Sequence, residues 1–292
     1  MRDNLNTCPV CGHKEQKSSM VVKDWLVSQE DFTVVECANC THGYTQDRVV
    51  EPEVGPYYDH PDYISHQDQG KDLLSTIYKR VRSYSLQQKS KLVERFVKGG
   101  KLLDYGCGTG AFLHQLDPNK WEKNGVEIND DARAKAGQHA QVNKEMSLGQ
   151  SYDAITMWHV LEHIYAPVEL LSTFRSAISD HGRLVVAVPN YKSYDAKHYK
   201  AHWAAYDVPI HVHHFSKESM DAIAAKTGWT VETTKPMWFD SVYISLLSEK
   251  YRSGASKPTV IHWLKAFVIG MLSNIHKAGK NTSSIIYILK PV

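Results

Sequence analysis

The stretch LLDYGCGTGAF, residues 102–112, constrains this chain more than any other. An apolar run closes on one acid, Asp104, and passes through glycines at 106, 108 and 110 into residues with helical spacing. Strand, tight glycine turn and helix in that order open a βαβ unit. Strands at 101–105, 121–128, 152–158 and 183–188 then alternate with helices from about 110, at 131–138 and at 167–178. A helix at 216–227 and strands near 229–235 and 284–290 follow. This alternation predicts an α/β fold with a doubly wound, mostly parallel sheet that binds ligands beyond the carboxyl ends of its strands.

The turn GCGTGA fits the dinucleotide pattern G-x-G-x-x-A, with Glu127 at the right distance downstream to hold a ribose. Asp104 argues for a different ligand. A carboxylate two residues before Gly106 repels a pyrophosphate and attracts an ammonium group. S-adenosylmethionine has that ammonium, a carboxylate for the helix N-terminus, and no phosphate.

The motifs LLDYGCGTG, GVEI and YDAITMWHVLEHI, in that order, resemble those of class I S-adenosylmethionine-dependent methyltransferases over roughly residues 85–235. The resemblance implies a Rossmann-like domain with a seven-stranded sheet. It implies that Gly106, Cys107, Gly108 and Gly110 approach the methionine part of the cofactor, that Glu127 holds the ribose and that Ile128 packs on the adenine. Met157 and His159, at the end of the fourth strand, join the expected cofactor contacts. The stretch NKEMSLGQSYD lacks the acid that many members place near the adenine amine, and Met146 and Ser147 occupy its neighbourhood. The segment WHVLEHI also resembles the E-x-x-E-H of ubiquinone-pathway O-methyltransferases, where the acids and histidine hold a divalent metal. Here His159 replaces the first acid, leaving Glu162 and His163.

Methyl transfer from a sulfonium is an in-line displacement, so positioning supplies much of the rate. An oxygen acceptor also needs its proton removed, and histidine titrates near neutrality. His159 follows the fourth strand, and a second cluster, HWAAYDVPIHVHHFS, follows the fifth. His159, His211 and His214 are therefore the candidate catalytic and substrate-contacting residues, with His202, Trp203 and His213 beside them. The competing reading makes Glu162 and His163 braces for the next helix and the second cluster a loop locked by buried histidine hydrogen bonds. Tyr57, Tyr58 and Tyr63 either fold over the cofactor, whose cationic sulfonium aromatic faces attract, or pin a linker.

Four of the five cysteines form two CxxC pairs, Cys8 with Cys11 and Cys37 with Cys40. Two such turns supply four thiolates for a closed, tetrahedral, structural zinc site. Residues 1–50 carry five Lys/Arg against seven Asp/Glu, so no nucleic-acid partner is expected. The expected division is a zinc ribbon at 1–50, a linker and basic helix at 51–100, and a cofactor-binding domain at 101–292 with a helical insert at about 239–280.

The basic helix, apolar at Leu73, Leu74, Ile77, Val81, Leu92, Val93 and Phe96, sits in a stretch (71–101) with nine Lys/Arg and two Asp/Glu. In the insert, Val260, Leu264, Phe267, Val268, Met271 and Ile275 form an apolar stripe opposed by Lys265, Ser273 and Asn274. The stripe is expected to pack onto the domain or onto a second subunit in a homodimer. Peripheral contact with a membrane or a lipidic substrate is the other reading.

The start MRDNLNTCPV has no apolar signal core and no stretch is long enough to cross a bilayer, which predicts a cytoplasmic protein. The expected activity is O-methylation of a small-molecule acceptor assisted by a histidine base. Sugar C-methylation is the alternative, since some sugar C-methyltransferases join a zinc module to this fold. A non-catalytic S-adenosylmethionine-binding scaffold is the alternative of another class.

Overall fold

The computed structural model describes residues 1–58, 73–147, 149–276 and 281–292, and for 73–79 the backbone alone. Tyr63 and the side chains of Leu73, Leu74 and Ile77 lie outside the described residues.

The N-terminal strands are β1 (Arg2–Asn4), β2 (Gln16–Lys23), β3 (Asp31–Cys37), β4 (Gly43–Thr45) and β5 (Asp47–Val49). Strands β2, β3 and β4 form an antiparallel meander, and β1 pairs with β5. The turn after β2 is closed by Asp24, whose carboxylate accepts from the backbone amides of Leu26, Val27 and Ser28 at 2.7–3.1 Å. Helix α1 (Leu73–Phe96) follows the linker.

The central sheet uses β6 (Gly100–Tyr105), β7 (Trp121–Val126), β8 (Gln141–Asn143), β9 (Tyr152–Trp158), β10 (Ile178–Pro189), β12 (Trp229–Pro236) and β13 (Ser284–Pro291). Its seven strands run in the order β12-β13-β10-β9-β6-β7-β8. Strand β13 alone runs against the other six, so the sheet is mixed. Side chains alternate between its faces. Leu102, Ala154, Val185 and Ala187 meet Leu92 and Val93 of α1 and Phe112 and Leu113 of α2 (Ala111–Gln115). On the other face Leu103, Ile155, Leu184 and Val186 meet Leu171 and Phe174 of α4 (Pro167–Ala177) and Met220 and Ile223 of α6 (Lys217–Lys226). Helix α3 (Asp130–Ala136) starts at Asn129, whose side chain accepts from the Ala132 amide.

Strand β7 ends at Val126, earlier than its apolar pattern suggests, because Glu127 turns back toward the glycine loop. The three-residue edge strand β8 is too short to show a period. The segment after β10 contains α5 (Tyr194–Tyr199), short helical turns and β11 (His213–His214). Strand β11 pairs with β4, His213 opposite Tyr44 and His214 opposite Gly43, and so extends the N-terminal meander to four strands. One hydrophobic cluster runs through this joint, from Cys8, Val35 and Tyr44 to Leu103, Met157 and Phe215.

Helices α7 (Trp238–Ser253) and α8 (Val260–Ile275) form a hairpin between β12 and β13. Buried Asp195 anchors it, accepting from Ser273 Oγ (2.6 Å), Trp203 Nε1 (2.7 Å) and Ser283 Oγ (2.6 Å). The apolar stripe of α8 does not pack onto the domain. Its buried residues are Ala266, Gly270, Ser273 and Asn274, and Lys265 lies within the exposed side. Among the described residues no helix is long and apolar enough to cross a membrane.

Candidate active site

The glycine turn sits where β6 passes into α2, with Gly106, Gly108 and Gly110 all at positive φ. Gly106 packs under Val160, the neighbour of His159, which ties the turn to the end of β9. At Gly108 (φ +54°) an added Cβ would meet nothing within 4 Å, so the backbone there is open to a ligand. The Gly108 amide donates to Glu127 Oε2 (2.8 Å) and the Asn129 amide to Oε1 (2.9 Å), which fixes the carboxylate beside the turn. Ile128 follows, an apolar side chain 74% exposed. Asp104 is buried below and accepts from Thr156 Oγ1 at 2.6 Å. Burial raises its carboxyl to about 7, against the Thr156 hydrogen bond and the charge of Lys89.

Two expected cofactor contacts point elsewhere. Met157 is fully buried in the core on the face of Leu103 and Ile155, because the period of two that turns Thr156 toward Asp104 turns Met157 away. The Cys107 side chain is also buried, with its sulfur against Gly125, so this residue has only its backbone to offer.

His159 adopts a left-handed conformation (φ 59°), held by its amide donating to the Ala187 carbonyl (3.0 Å). Its Nδ1 lies 3.3 Å from Glu162 Oε1 and its Nε2 3.1 Å from Asp240 Oδ2. Both nitrogens thus face acceptors, as in an imidazolium. Burial alone would depress its pKa, but Asp240 and Glu162 outweigh burial and raise it to about 9. The expectation of His159 as the proton acceptor is therefore corrected: at neutral pH it already holds its second proton.

His163 and His211 are neutral. His211 Nδ1 donates to the Ala205 carbonyl (3.0 Å), and Nε2 has no hydrogen-bond partner among the described residues and lies 3.9 Å from Asp207 Oδ2. His163 Nδ1 lies 3.1 Å from the Ile210 carbonyl, which can only accept, and 3.1 Å from the Tyr58 hydroxyl. Their rings meet edge to face, 4.6 Å between centroids. Burial lowers both, His211 far below 6.5, and raises Asp207 to about 7. The Val212 amide donates to the Glu162 carbonyl (2.9 Å), stitching the two histidine segments together. Glu162, His163 and His211 bring three donor atoms within 4.8 Å of one another, and Glu162 Oε2 is buried without a hydrogen-bond partner among the described residues.

His214 is not at this mouth. It is buried in β11, and because the Thr45 hydroxyl donates to the His211 carbonyl (2.9 Å), His214 Nε2 must donate to Thr45 Oγ1 (3.1 Å). His213 Nδ1 pairs with His42 Nε2 at 2.9 Å. Burial pushes His213 and His214 down to about 3. The expectation of His214 as base or substrate contact is corrected: strand pairing turns it into the joint with the N-terminal strands. His202 likewise lies against Trp25, 5.5 Å between ring centroids. Of the linker tyrosines, Tyr58 meets His163 while Tyr57 packs against the cluster around Val22 and Phe32.

The four N-terminal thiols gather within 4.8 Å of one another, Cys8 to Cys40 at 3.6 Å and Cys11 to Cys37 at 3.5 Å. A tetrahedron with metal–sulfur bonds of about 2.3 Å has edges of about 3.8 Å, so the set fits zinc. Both CxxC turns share one backbone plan. The Gly12 amide donates to the Cys8 carbonyl and Cys8 to His13, just as Thr41 donates to Cys37 and Cys37 to His42.

Residues 78–234, just over half of the chain, match the family described as "Methyltransferase domain". The chain belongs to the methyltransferase-domain family. A 23S rRNA (uracil(747)-C(5))-methyltransferase of Pyrococcus abyssi (strain GE5 / Orsay) is 30% identical over 133 residues, 41% of this chain and 32% of that protein. The chain thus spans about a third of that relative's length. Among solved structures the methyltransferase resembles coclaurine N-methyltransferase bound to N-methylheliamine and SAH (TM-score 0.51, 14% identity, 76% of this chain and 74% of that one). It also resembles magnesium protoporphyrin IX methyltransferase from Synechocystis PCC 6803 with bound SAH (TM-score 0.50, 12% identity, 78% and 91%). These likenesses are of fold. The matched residues form an S-adenosylmethionine-dependent methyltransferase domain.

The methyltransferase mouth contains two residues that sequence reasoning missed. Asp240 comes from the first turn of α7, some eighty residues after its partner His159. Lys89 of α1 holds Nζ 4.6 Å from the Trp158 ring centre; burial lowers its ammonium, while Asp240 and Asp104 oppose the loss of charge. Neither has a local signature: Lys89 is one of many cations in a basic helix, and Asp240 is a lone acid in an apolar run.

Proposed function

We propose that this methyltransferase transfers the methyl group of S-adenosylmethionine to an oxygen of a small acceptor, with His211 as proton acceptor. Asp104 would hold the cofactor's ammonium, Lys89 its carboxylate, Glu127 its ribose and Ile128 its adenine. The cofactor supplies an electrophilic methyl on a sulfonium; the chain orients the acceptor and takes its proton. The observation that carries this reading is a neutral His211, its Nε2 without a hydrogen-bond partner among the described residues, beside Glu162, which also holds the His159 imidazolium. A neutral imidazole receives a proton, and a fixed cation stabilises the negative charge left behind. No thiolate is at hand for a covalent route, since four of the five cysteines gather in the N-terminal cluster and Cys107 is buried, with burial pushing its thiol up.

The base-and-cation pair also supports a second reading, methylation of a carbon beside a carbonyl, as in a keto sugar. There the base removes a carbon-bound proton and the imidazolium steadies the enolate. The four thiols are assigned to structural zinc, closed to substrate and serving stability.

Calorimetry tests the cofactor assignment. Asp104→Ala and Glu127→Ala should each weaken S-adenosylmethionine at least ~10-fold, equivalent to about 1.4 kcal/mol. Affinity should also weaken as pH falls through about 7, where Asp104 gains its proton. Unchanged affinity in both variants refutes the assignment. Acceptor-dependent formation of S-adenosylhomocysteine separates an enzyme from a scaffold, and the position of a labelled methyl in the product separates oxygen from carbon.

A further inference from the structure

Helix α8 is amphipathic the wrong way round for a helix at a protein surface. Its inward residues are small or polar: Ala266, Gly270, Ser273 and Asn274. Ser273 donates to Asp195 and Asn274 to the Trp238 carbonyl, and a Cβ at Gly270 would come within 2.7–2.8 Å of the Val242 backbone. These contacts fix which side faces in. The outward side carries Val260, Ile261, Trp263 (46% exposed), Leu264 (64%), Phe267 (58%), Val268, Met271, Leu272 and Ile275. A contiguous apolar face of this kind marks a surface that something covers.

Charge selects the occupant. Residues 250–292 contain seven Lys/Arg and no Asp/Glu. Lys265 stands within the exposed face and Lys257 precedes it, also exposed, while Arg252 is already paired with buried Glu249. A second copy docked through this segment about a two-fold axis could offer Lys257 and Lys265 only further cations from its own residues 250–292, and like charges across an interface disfavour association. An anionic lipid surface complements them instead. At 16 residues α8 is about 24 Å long, suited to lying in the plane of a leaflet, with Trp263 at headgroup depth and Lys265 snorkelling to the phosphates.

We infer that α8 is a docking helix that seats this protein on an anionic membrane surface. The patch also reaches the mouth. Asn274 joins the end of α8 to Trp238, and Trp238 and Phe239, both exposed, immediately precede Asp240, the partner of His159. Docking therefore holds the cleft near the lipid headgroups, where an amphiphilic acceptor would be presented.

The experiment uses the full chain and is read by binding alone, so it stands apart from the methyltransferase reading. Wild-type protein is floated with vesicles of phosphatidylcholine, or of phosphatidylcholine with ~30% phosphatidylglycerol, at low and high salt. Binding to the anionic vesicles at least ~10-fold stronger than to neutral ones, and weakened by salt, is expected. Leu264→Ser/Phe267→Ser should abolish it, and Lys257→Gln/Lys265→Gln should reduce it ~10-fold or more. These side chains point outward, so thermal unfolding and S-adenosylmethionine affinity should match wild type, which keeps a misfolded variant from imitating the result. Absence of binding to either vesicle overturns the inference. So does a wild-type dimer in ultracentrifugation that Leu264→Ser/Phe267→Ser converts to monomer, since α8 would then be the contact between copies. Salt-sensitive binding of RNA that competes with vesicles for the lysines, and survives loss of Leu264 and Phe267, overturns it as well.

Discussion

Two groups of histidines, drawn partly from one tetrapeptide, do opposite work in this molecule. At the mouth, His159 is held as a cation between Asp240 and Glu162, beside neutral His163 and His211. At the joint, His42, His213 and His214 are buried among Thr45, Phe215 and one another, with no carboxylate as a hydrogen-bond partner among the described residues. His211 and His213 are two residues apart in HVHH. Strand pairing begins at His213 and sets His213 and His214 against Tyr44 and Gly43, while His211, just before it, lies beside Glu162 and His163. A cluster of histidines is thus a set of separate residues whose chemistry depends on which neighbours the tertiary fold supplies.

Removing the structural support of the joint should have the largest effect. The protein should contain about one zinc per chain, and stripping it, or making Cys37→Ser, should cost several kcal/mol of local stability. Hydrogen exchange should then rise across residues 1–45 and β11 well before the central sheet. Freshly purified protein with four metal-free cysteines contradicts the zinc assignment.

The next test separates the two groups by function. His211→Gln should lower turnover by ~100-fold or more at near wild-type cofactor affinity. His214→Phe should instead lose about 1–3 kcal/mol of stability from its broken hydrogen bond, while the folded fraction turns over within a few-fold of wild type. Wild-type turnover in His211→Gln, or a catalytic loss in His214→Phe without destabilisation, would reverse the roles assigned here.

The smallest effect is in the pH dependence of stability. His159 has a folded pKa raised from 6.5 to about 9, so its ion pairs stabilise fully below pH 6.5 and fade as pH rises through about 9. His213 and His214, depressed from 6.5 to about 3, contribute above pH 6.5 and lose that contribution as pH falls toward about 3. Thermal unfolding across pH should show two limbs. Asp240→Asn should flatten the alkaline limb, and His214→Phe the acid one. One limb abolished by both variants would show that the two groups are coupled.

Much of this was legible in sequence because it is local. The glycine turn, Asp104 and Glu127 are fixed by the strand–turn–helix pattern, and β6 and α4 fall close to where periodicity sets them. Each CxxC turn is likewise a local unit, so the four thiols could be grouped from spacing alone. Asp240 could not be found this way, because its partner is remote in the chain, and Lys89 is matched by every other lysine on α1. The apolar residues of α8 were visible, but an alternation of apolar and polar residues does not say which side meets the protein.

The sequence by itself determined the main strands and helices of the central sheet, the glycine turn and the thiol set, since each depends on residues a few positions apart whose geometry the backbone enforces. Only the tertiary structure decided that His159 is a cation, that His211 is neutral, that His214 is a structural donor and that α8 turns its apolar side outward. Those properties depend on burial and on the charges brought near, and both are set by segments that meet only when the chain is folded.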